Sequence, residues 1–515
     1  MNLGYQILAV SARRFPQHPA LLGPWGELDY GRIEARVARL AGGLLRLGIK
    51  PGDRIAFMMN NHPDVVIAYF AILRVGAIAV AVNVMLKRNE LAYLLNNSET
   101  GTVMCEPAVL DAVLAAQTEA PSLRNIVLTS GPVRDGIVPM GALEGGEPMS
   151  DVADRLPDDI AMMLYTSGTS GEPKGVMMSH FWLDFALVSW VNVFKLTHDD
   201  RTLVASPFFY VIGMVMGVLA AFRIGASAVL IERFKPQIAL DAITRFRPTT
   251  ANIVPTAVVQ LLDKFDPALH DVSSIKTLFS AGAAFSAALR RRVSESFGWE
   301  AYEIYGLTEA HMLAAGRAGL PYREGMIGVP GGNVTVRVVD EADRDVARGE
   351  IGEFICKGDT VTLGYWRRPK ETAEAYRDGW FHTGDLGLMD ADGYIRIVDR
   401  KKEMIITGGA NIYPAEVEKV LAQYPGVAMA ALVGVPDEQY GELPVAVVAL
   451  RPGSSATAEA IIGFCRERLA AFKCPRSVEF MNDLPVTATG KLARRQLRDR
   501  LAVSAAGGSS RHEPS

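Results

Sequence analysis

The run from Val65 to Val82, VVIAYFAILRVGAIAVAV, limits what this chain can fold into more than any other segment. It is long enough to cross a bilayer, yet Arg74 and Gly76 interrupt it. Pro63 suits the first turn of a helix, where its missing N–H is not needed, and Gly76 suits a C-terminal cap. The run therefore reads as a helix, a turn and a buried strand. A second apolar stretch, Phe208 to Phe222, carries no charge but falls short of the roughly 20 residues a span needs. The N-terminal MNLGYQILAV has no cationic region ahead of its apolar residues and does not read as a signal peptide.

A buried strand fed by its own helix implies a parallel sheet, and the alternation recurs. Val37, Leu40, Ala41, Leu44 and Leu47 repeat at helical spacing before Gly48 and Pro51, and Ile55 to Met59 is a short apolar strand. Ala226 to Ile231 and Asn252 to Val254 read as further strands, the latter followed by a helix opening at Pro255. From about Gly328 to Val398 the pattern changes. Val334, Val336 and Val338 alternate with polar residues, and Asp378-Gly379 and Asp392-Gly393 signal turns, so this stretch reads as a small antiparallel β unit. After Asp399-Arg400-Lys401-Lys402-Glu403, a helix from Pro414, strands over 428–435 and 445–450, and a helix over 457–471 suggest a compact α+β domain. The expected fold class is α/β. A large N-terminal domain of helix-covered parallel sheets (1–399) includes a small β-barrel unit (328–398). A small mobile α+β C-terminal domain (400–503) follows a hinge, and 504–515 are expected to form a disordered, polar tail.

Composition excludes several classes. With 53 Lys and Arg against 57 Asp and Glu, the formal charge of −4 offers no basic excess for nucleic acid or an anionic membrane. Cys105, Cys356, Cys465 and Cys474 are too few and scattered for a disulfide scaffold, and none forms a C-x-x-C pair. The expectation is a reduced, cytoplasmic protein without a transmembrane segment. Transient membrane contact and a homodimer stay open.

The strongest local signal is Tyr165-Thr166-Ser167-Gly168-Thr169-Ser170-Gly171-Glu172-Pro173-Lys174-Gly175, entered directly from the apolar strand Ile160 to Leu164. Glycines let successive N–H groups face an anion, while the hydroxyls and one lysine add donors. It is not a Walker loop, because one starting at Gly168 would need glycine where Pro173 stands.

This segment resembles the signature of the adenylate-forming (AMP-binding) superfamily, in particular its acyl-CoA synthetase, or acid–thiol ligase, branch. Further segments agree in order and spacing: Tyr305-Gly306-Leu307-Thr308-Glu309, Trp380-Phe381-His382-Thr383-Gly384-Asp385, Asp399-Arg400-Lys401-Lys402-Glu403 with Gly408-Gly409, and Pro485-Val486-Thr487-Ala488-Thr489-Gly490-Lys491. Gly352-Glu353 and Gly364-Tyr365-Trp366 also fit. Such enzymes activate a carboxylate with ATP as acyl-AMP, and a thiol then displaces AMP.

The resemblance implies a role for each matching position. Thr166, Ser167, Gly168, Thr169, Ser170, Gly171 and Lys174 would hold the pyrophosphate end of ATP. Thr308 matches a phosphate contact and Glu309 a Mg²⁺ ligand, which suits a hard cation that prefers oxygen. Tyr305, Gly306 and the small residues of Ser280-Ala281-Gly282-Ala283-Ala284 match the adenine site, and Asp385 and Arg400 match ribose contacts. Lys491 matches the lysine that offsets charge between the substrate carboxylate and the α-phosphate. Lys402 matches a hinge, with Gly408 and Gly409 in the loop that the hinge brings to the thiol.

Tyr210, Val211, Met214, Val254, Ala281, Gly282, Gly306, His311 and Met312 match acyl-pocket positions. Tyr210 departs from the family's common histidine, which hints at a reshaped pocket entrance. With no Lys or Arg in this set, a second carboxylate on the substrate would lack a partner, so malonate-like acids are disfavoured. Gly213, Gly217, Ala220 and Ala221 are expected to leave room for a long chain, which favours a medium- or long-chain fatty acid with ATP, Mg²⁺ and coenzyme A. An aryl acid of the benzoate or cinnamate type stays open, with His311 bonding a ring substituent. So do transfer to a carrier protein and a silent acyl-nucleotide binder. Against the silent reading stand intact Lys174, Glu309, Asp385, Arg400 and Lys491.

Overall fold

The structure is a computed structural model that describes residues 1–131, 134–166, 172–407, 410–437, 440–486 and 492–507. It divides into two compact units, Met1–Val336 with Ile355–His382, and Arg337–Phe354 with Thr383–Ser515. The chain passes from one to the other within the strands Val334–Val339, Gly352–Gly358 and Trp380–Met389.

The first unit is built on two large sheets. A seven-stranded sheet takes Arg54–Met58, Ile78–Ala81, Thr102–Cys105 and Ile160–Thr166 into parallel pairing, and Lys174–Ser179 returns antiparallel at one edge. A nine-stranded sheet has a parallel centre of Ser227–Leu230, Arg201–Val204, Thr250–Asn252, Thr277–Ala281 and Glu300–Tyr305. Both are covered by helices, as parallel strands buried on two faces require.

The apolar run ending at Val82 forms the helix Pro63–Arg74 and the strand Ile78–Ala81, with Gly76 at φ 75° between them. Arg74 is buried because its charge is met inside the fold. It pairs with Glu34 at 2.7 Å, donates to the Met149 carbonyl at 2.7 Å and contacts the Tyr5 hydroxyl. Among the described residues no helix is long and apolar enough to cross a membrane. The stretch 208–222 folds into short helical turns, including Met214–Leu219 and Ala220–Ile224, packed into the same core as Trp182, Trp190 and Phe222.

In the second unit Thr383–Met389 pairs antiparallel with Ile395–Arg400, and Asp385 stands opposite Arg400. A separate sheet orders Ala410–Ile412, Ile405–Thr407, Gly441–Leu450 and Val427–Asp437, with Ser477–Phe480 parallel to Gly441–Leu450. Two expectations change here. The helix expected over 457–471 is shorter, Ala458–Arg466 with Thr457 as its N-cap. The apolar residues that follow turn through Ala471–Lys473 so that Cys474 enters the core ahead of the strand Ser477–Phe480. The final helix, Arg494–Gly507, takes in residues 504–507, the first of those expected to be disordered, because the helical turn continues through Ala502, Ala505 and Ala506 before the glycines. All four cysteines are buried and free.

Candidate active site

The carboxyl ends of parallel strands gather the residues of interest in the first unit. Ala281 pairs with Ile304 at the ends of adjacent strands, so Gly282–Ala284 and Tyr305–Glu309 emerge side by side. Val254 follows the neighbouring strand Thr250–Asn252, and Tyr210 follows Arg201–Val204 after a short connection. Open α/β sheets bind ligands at this edge, where loops leave the strands and backbone N–H groups are unpaired. Gly282 has φ 88°, which favours glycine, and a Cβ there would touch only Val254, at 4.0 Å. Gly282, Ala283, Ala284 and Gly306 are exposed, Thr308 and Glu309 half-buried, and Tyr305 buried. The Ser280 hydroxyl donates to the Ile253 carbonyl at 2.9 Å and fixes the strand end beneath this rim.

Glu303 was not singled out by its sequence. Its carboxylate accepts the Phe285 N–H at 3.1 Å and so pins the far end of the Gly282–Ala284 loop. Burial pushes it up to about 7, opposed by the Phe285 N–H and Arg290.

The glycine-rich segment lies between two paired strands, with Thr166 opposite Lys174 and Tyr165 opposite Gly175. Ser167, Gly168, Thr169, Ser170 and Gly171 lie outside the described residues. The ends of the segment are held from both sides. The Tyr165 hydroxyl donates to Asn97 Oδ1 at 2.7 Å, and the Tyr93 hydroxyl donates to the Pro173 carbonyl at 3.0 Å. Arg368 donates to the Tyr93 hydroxyl at 2.8 Å and pairs with Glu172. The helix Arg88–Ser98 thus carries both anchors, Tyr93 and Asn97, one turn apart.

Behind the rim the interior is packed. Met214 and His311 are 0% exposed and Met312 1%, whereas Tyr210, Val211, Val254 and Ala281 are half-buried. His311 lies beside Trp182 and Trp190, with ring centroids 6.2 and 6.0 Å away, and Trp190 continues to Phe279 and Phe194. Neither His311 ring nitrogen has a hydrogen-bond partner among the described residues. The Ala186 carbonyl favours the charged form without reaching hydrogen-bond geometry, and burial, the larger effect, lowers the ring to about 4. Burial also raises the Tyr210 phenol above its ordinary value.

The room for a long chain expected beside Gly213 and Gly217 is taken up by neighbouring groups. A Cβ on Gly213 would stand 2.3 Å from the Pro207 carbonyl oxygen, and one on Gly217 2.9 Å from Val204. Ala220 and Ala221 are buried in the core. At Gly213 and Gly217 neighbouring groups fill the place of a side chain, so close packing accounts for their small size.

A family description, AMP-binding enzyme, matches residues 8–366, and the C-terminal domain of AMP-binding enzymes matches 416–491. The chain belongs to the AMP-binding enzyme family. Within it the chain is 37% identical to a feruloyl-CoA synthase from Amycolatopsis sp over 95% of its own length and 97% of that protein's. It is 33% identical to a long-chain-fatty-acid–CoA ligase from Bacillus subtilis (strain 168), over 95% and 93%. The solved structure of an anthranilate CoA ligase in complex with anthranoyl-AMP superposes with a TM-score of 0.89 at 30% identity, covering 98% of both chains. Like these AMP-binding enzymes, the protein is an acid–thiol ligase with a mixed α/β fold.

The second unit carries the other positions assigned from the family resemblance. Asp385 is buried and pairs with Arg400 at 2.7 Å, and its own N–H donates to the Thr383 hydroxyl at 3.0 Å. Lys402 is exposed in the turn after Ile395–Arg400. Next to it, Lys401 pairs with Glu353 at 2.9 Å, and Arg494 pairs with Glu403 and Glu418, each at 2.6 Å. Gly408, Gly409 and Lys491 lie outside the described residues. Thr407 and Ala410 pair across the first two, and Val486 and Leu492 bridge around the segment that contains Lys491.

Proposed function

We propose that this AMP-binding enzyme is an ATP-dependent acyl-CoA ligase for a compact, ring-bearing carboxylic acid. The observation that carries the choice of acid is the filled space at Gly213 and Gly217, behind an apolar, half-buried entrance of Tyr210, Val211, Val254 and Ala281. The feruloyl-CoA synthase and anthranilate CoA ligase relatives accord with it. A fatty acid is the second reading, favoured by the long-chain ligase relatives. It would need the packed interior to open.

In this reading a carboxylate oxygen attacks the α-phosphorus of ATP, the bond to the bridging oxygen breaks, and pyrophosphate leaves. The sulfur of coenzyme A then attacks the acyl carbon, AMP departs, and the thiol proton passes to solvent. No residue changes covalently, so the chain's task is positioning and charge stabilisation. Lys174, Thr166 and Ser167–Gly171 would hold the β- and γ-phosphates, Thr308 a further phosphate oxygen, and Gly282, Ala283, Tyr305 and Gly306 the adenine. Asp385 and Arg400 are assigned to the ribose, Lys491 to the reacting carboxylate and α-phosphate, and Lys402 to a hinge at the 399/400 division, with Gly408 and Gly409 at the thiol step.

Glu309 fits one ligand of Mg²⁺. It is a half-buried carboxylate that accepts the neutral Tyr365 hydroxyl at 2.9 Å. No cluster of three or more His, Cys, Asp or Glu among the described residues would hold a metal by protein groups alone, so phosphate oxygens and waters would complete the shell. When bound, the ion would neutralise phosphate charge.

The test is release of AMP and pyrophosphate over acids from acetate to C18 fatty acids, with benzoate, coumarate, ferulate and malonate, with and without CoA. CoA-dependent turnover peaking on the aromatic acids is the expected result. A peak on C12–C18 acids would replace the ring-bearing acid by the second reading, and pyrophosphate release indifferent to CoA would move the acceptor to a carrier protein.

A further inference from the structure

Gly364-Tyr365-Trp366 matches the family pattern but takes no part in the chemistry assigned above. Its placement is specific. On one side of the segment, Met177 N–H donates to the Gly364 carbonyl at 2.9 Å, Leu363 N–H to the Met177 carbonyl at 3.1 Å and Trp366 N–H to the Gly175 carbonyl at 2.8 Å. On the other side, Thr362 N–H donates to the Glu309 carbonyl at 2.9 Å and His311 N–H to the Thr360 carbonyl at 3.0 Å. Residues 360–366 therefore tie the strand that begins at Lys174 to the loop that carries Glu309. Tyr365 stands where the two meet. Its ring lies 4.8 Å from the Lys174 ammonium, and its hydroxyl donates to Glu309 Oε1 at 2.9 Å.

We propose that Tyr365 is a positioning residue that holds Lys174 and Glu309 as a fixed pair of opposite charges, the ammonium on its ring face and the carboxylate on its hydroxyl. The inference rests on the reading of this rim as an ATP site. Neither contact consumes a charge. A ring face attracts a cation through its quadrupole, and a neutral hydroxyl donates to a carboxylate without cancelling it. Neither contact with Tyr365 therefore offsets the positive charge that a polyphosphate would meet or the negative one that its divalent ion would meet. A phenol ordinarily titrates at about 10, so the hydroxyl has its proton to donate near neutral pH. The backbone is fixed as well. Tyr365 N–H donates to the Thr372 hydroxyl at 3.0 Å, and Gly364, at φ 103°, packs so closely that a Cβ would lie 2.5 Å from the Thr372 methyl.

The two contacts separate by experiment. ATP binding to the full chain would be titrated calorimetrically, in Mg²⁺ and in EDTA, for wild type, Tyr365→Phe and Tyr365→Leu. Phenylalanine keeps the ring and loses the hydroxyl, so affinity should fall about 10-fold in Mg²⁺ and less than about twofold in EDTA. Leucine loses both and should also weaken binding in EDTA, by about 3- to 10-fold. A purely structural role would lower both conditions alike, together with the melting temperature, and that result overturns the proposal. So does a phenylalanine variant that binds MgATP like wild type. If the leucine variant does not fold, the Mg²⁺ dependence of the phenylalanine variant decides alone. Failure of the wild type to bind ATP in either condition would instead remove the reading of the site, and the proposal with it.

Discussion

Two regions grow from the same strand ends in the first unit, and they differ in what their residues are held against. The rim, Gly282–Ala284 with Gly306–Glu309, is exposed or half-buried. Its position comes from polar tethers beneath it, namely Ser280 to Ile253, Glu303 to Phe285 and Tyr365 to Glu309. The interior, Met214, His311 and Met312 against Trp182 and Trp190, is held by packing. A rim built this way can present charge to a ligand without reorganising, because its donors and acceptors are already anchored. An interior built this way fixes shape, and any acid that enters has to match the space the packing leaves.

That contrast breaks if stability and activity fail together. The largest effect should come from the interior. Trp182→Ala removes a ring that is 1% exposed and leaves the Thr360 carbonyl without the indole N–H it accepts at 2.8 Å. The expected loss is about 3–5 kcal/mol, read from the urea midpoint of the unit. ATP affinity of the folded variant should stay within about twofold, and a large drop would mean that rim and interior are one cooperative site. Glu309→Gln makes the converse test. Its shape and its hydrogen bond from Tyr365 can persist, so stability should shift by about 0.5 kcal/mol or less, while pyrophosphate release falls about 10²- to 10³-fold. Unchanged release would take Glu309 out of the charge-bearing rim.

The rim was more legible in the sequence than the interior, for a physical reason. Glycine at φ 88° after a strand and a hydroxyl–carboxylate pair at Thr308-Glu309 are local signals, and local signals survive in a linear string. The Pro63–Val82 segment was legible for the same reason, because Pro63 and Gly76 punctuate it. Packing is not local. Gly213 and Gly217 read as empty space, yet Pro207 and Val204 fill it. The Tyr365 contacts depend on strand pairing between residues far apart in the chain, Val176 with Tyr365 and Ala310 with Val361, which no spacing announces. The helix after Thr457 stopped at Arg466 because Cys474 is drawn into the core, a tertiary demand that overrides helical spacing.

His311 is a polar residue that the interior encloses, and it gives the finest test of the comparison. Burial lowers its pKa to about 4 from an ordinary 6.5, so the folded protein binds fewer protons than the unfolded chain between those values. Stability contributed by the neutral ring is present above about pH 6.5 and is lost as pH falls towards 4, at no more than about 1.4 kcal/mol per pH unit. Glu303, raised to about 7, acts in the opposite sense over much of the same range, and His180, also lowered to about 4, acts in the same sense. Wild type alone therefore cannot isolate His311, but a difference can. His311→Met puts an apolar side chain of similar size in place of the ring and removes two nitrogens that lack a partner among the described residues, so at pH 7.5 it should be neutral or stabilising by about 1 kcal/mol. Its advantage in melting temperature over wild type should widen as pH falls from 6.5 to 4.5. A constant difference would mean that the ring is solvated or hydrogen-bonded in solution, and that the interior is open enough to admit an acid without rearranging.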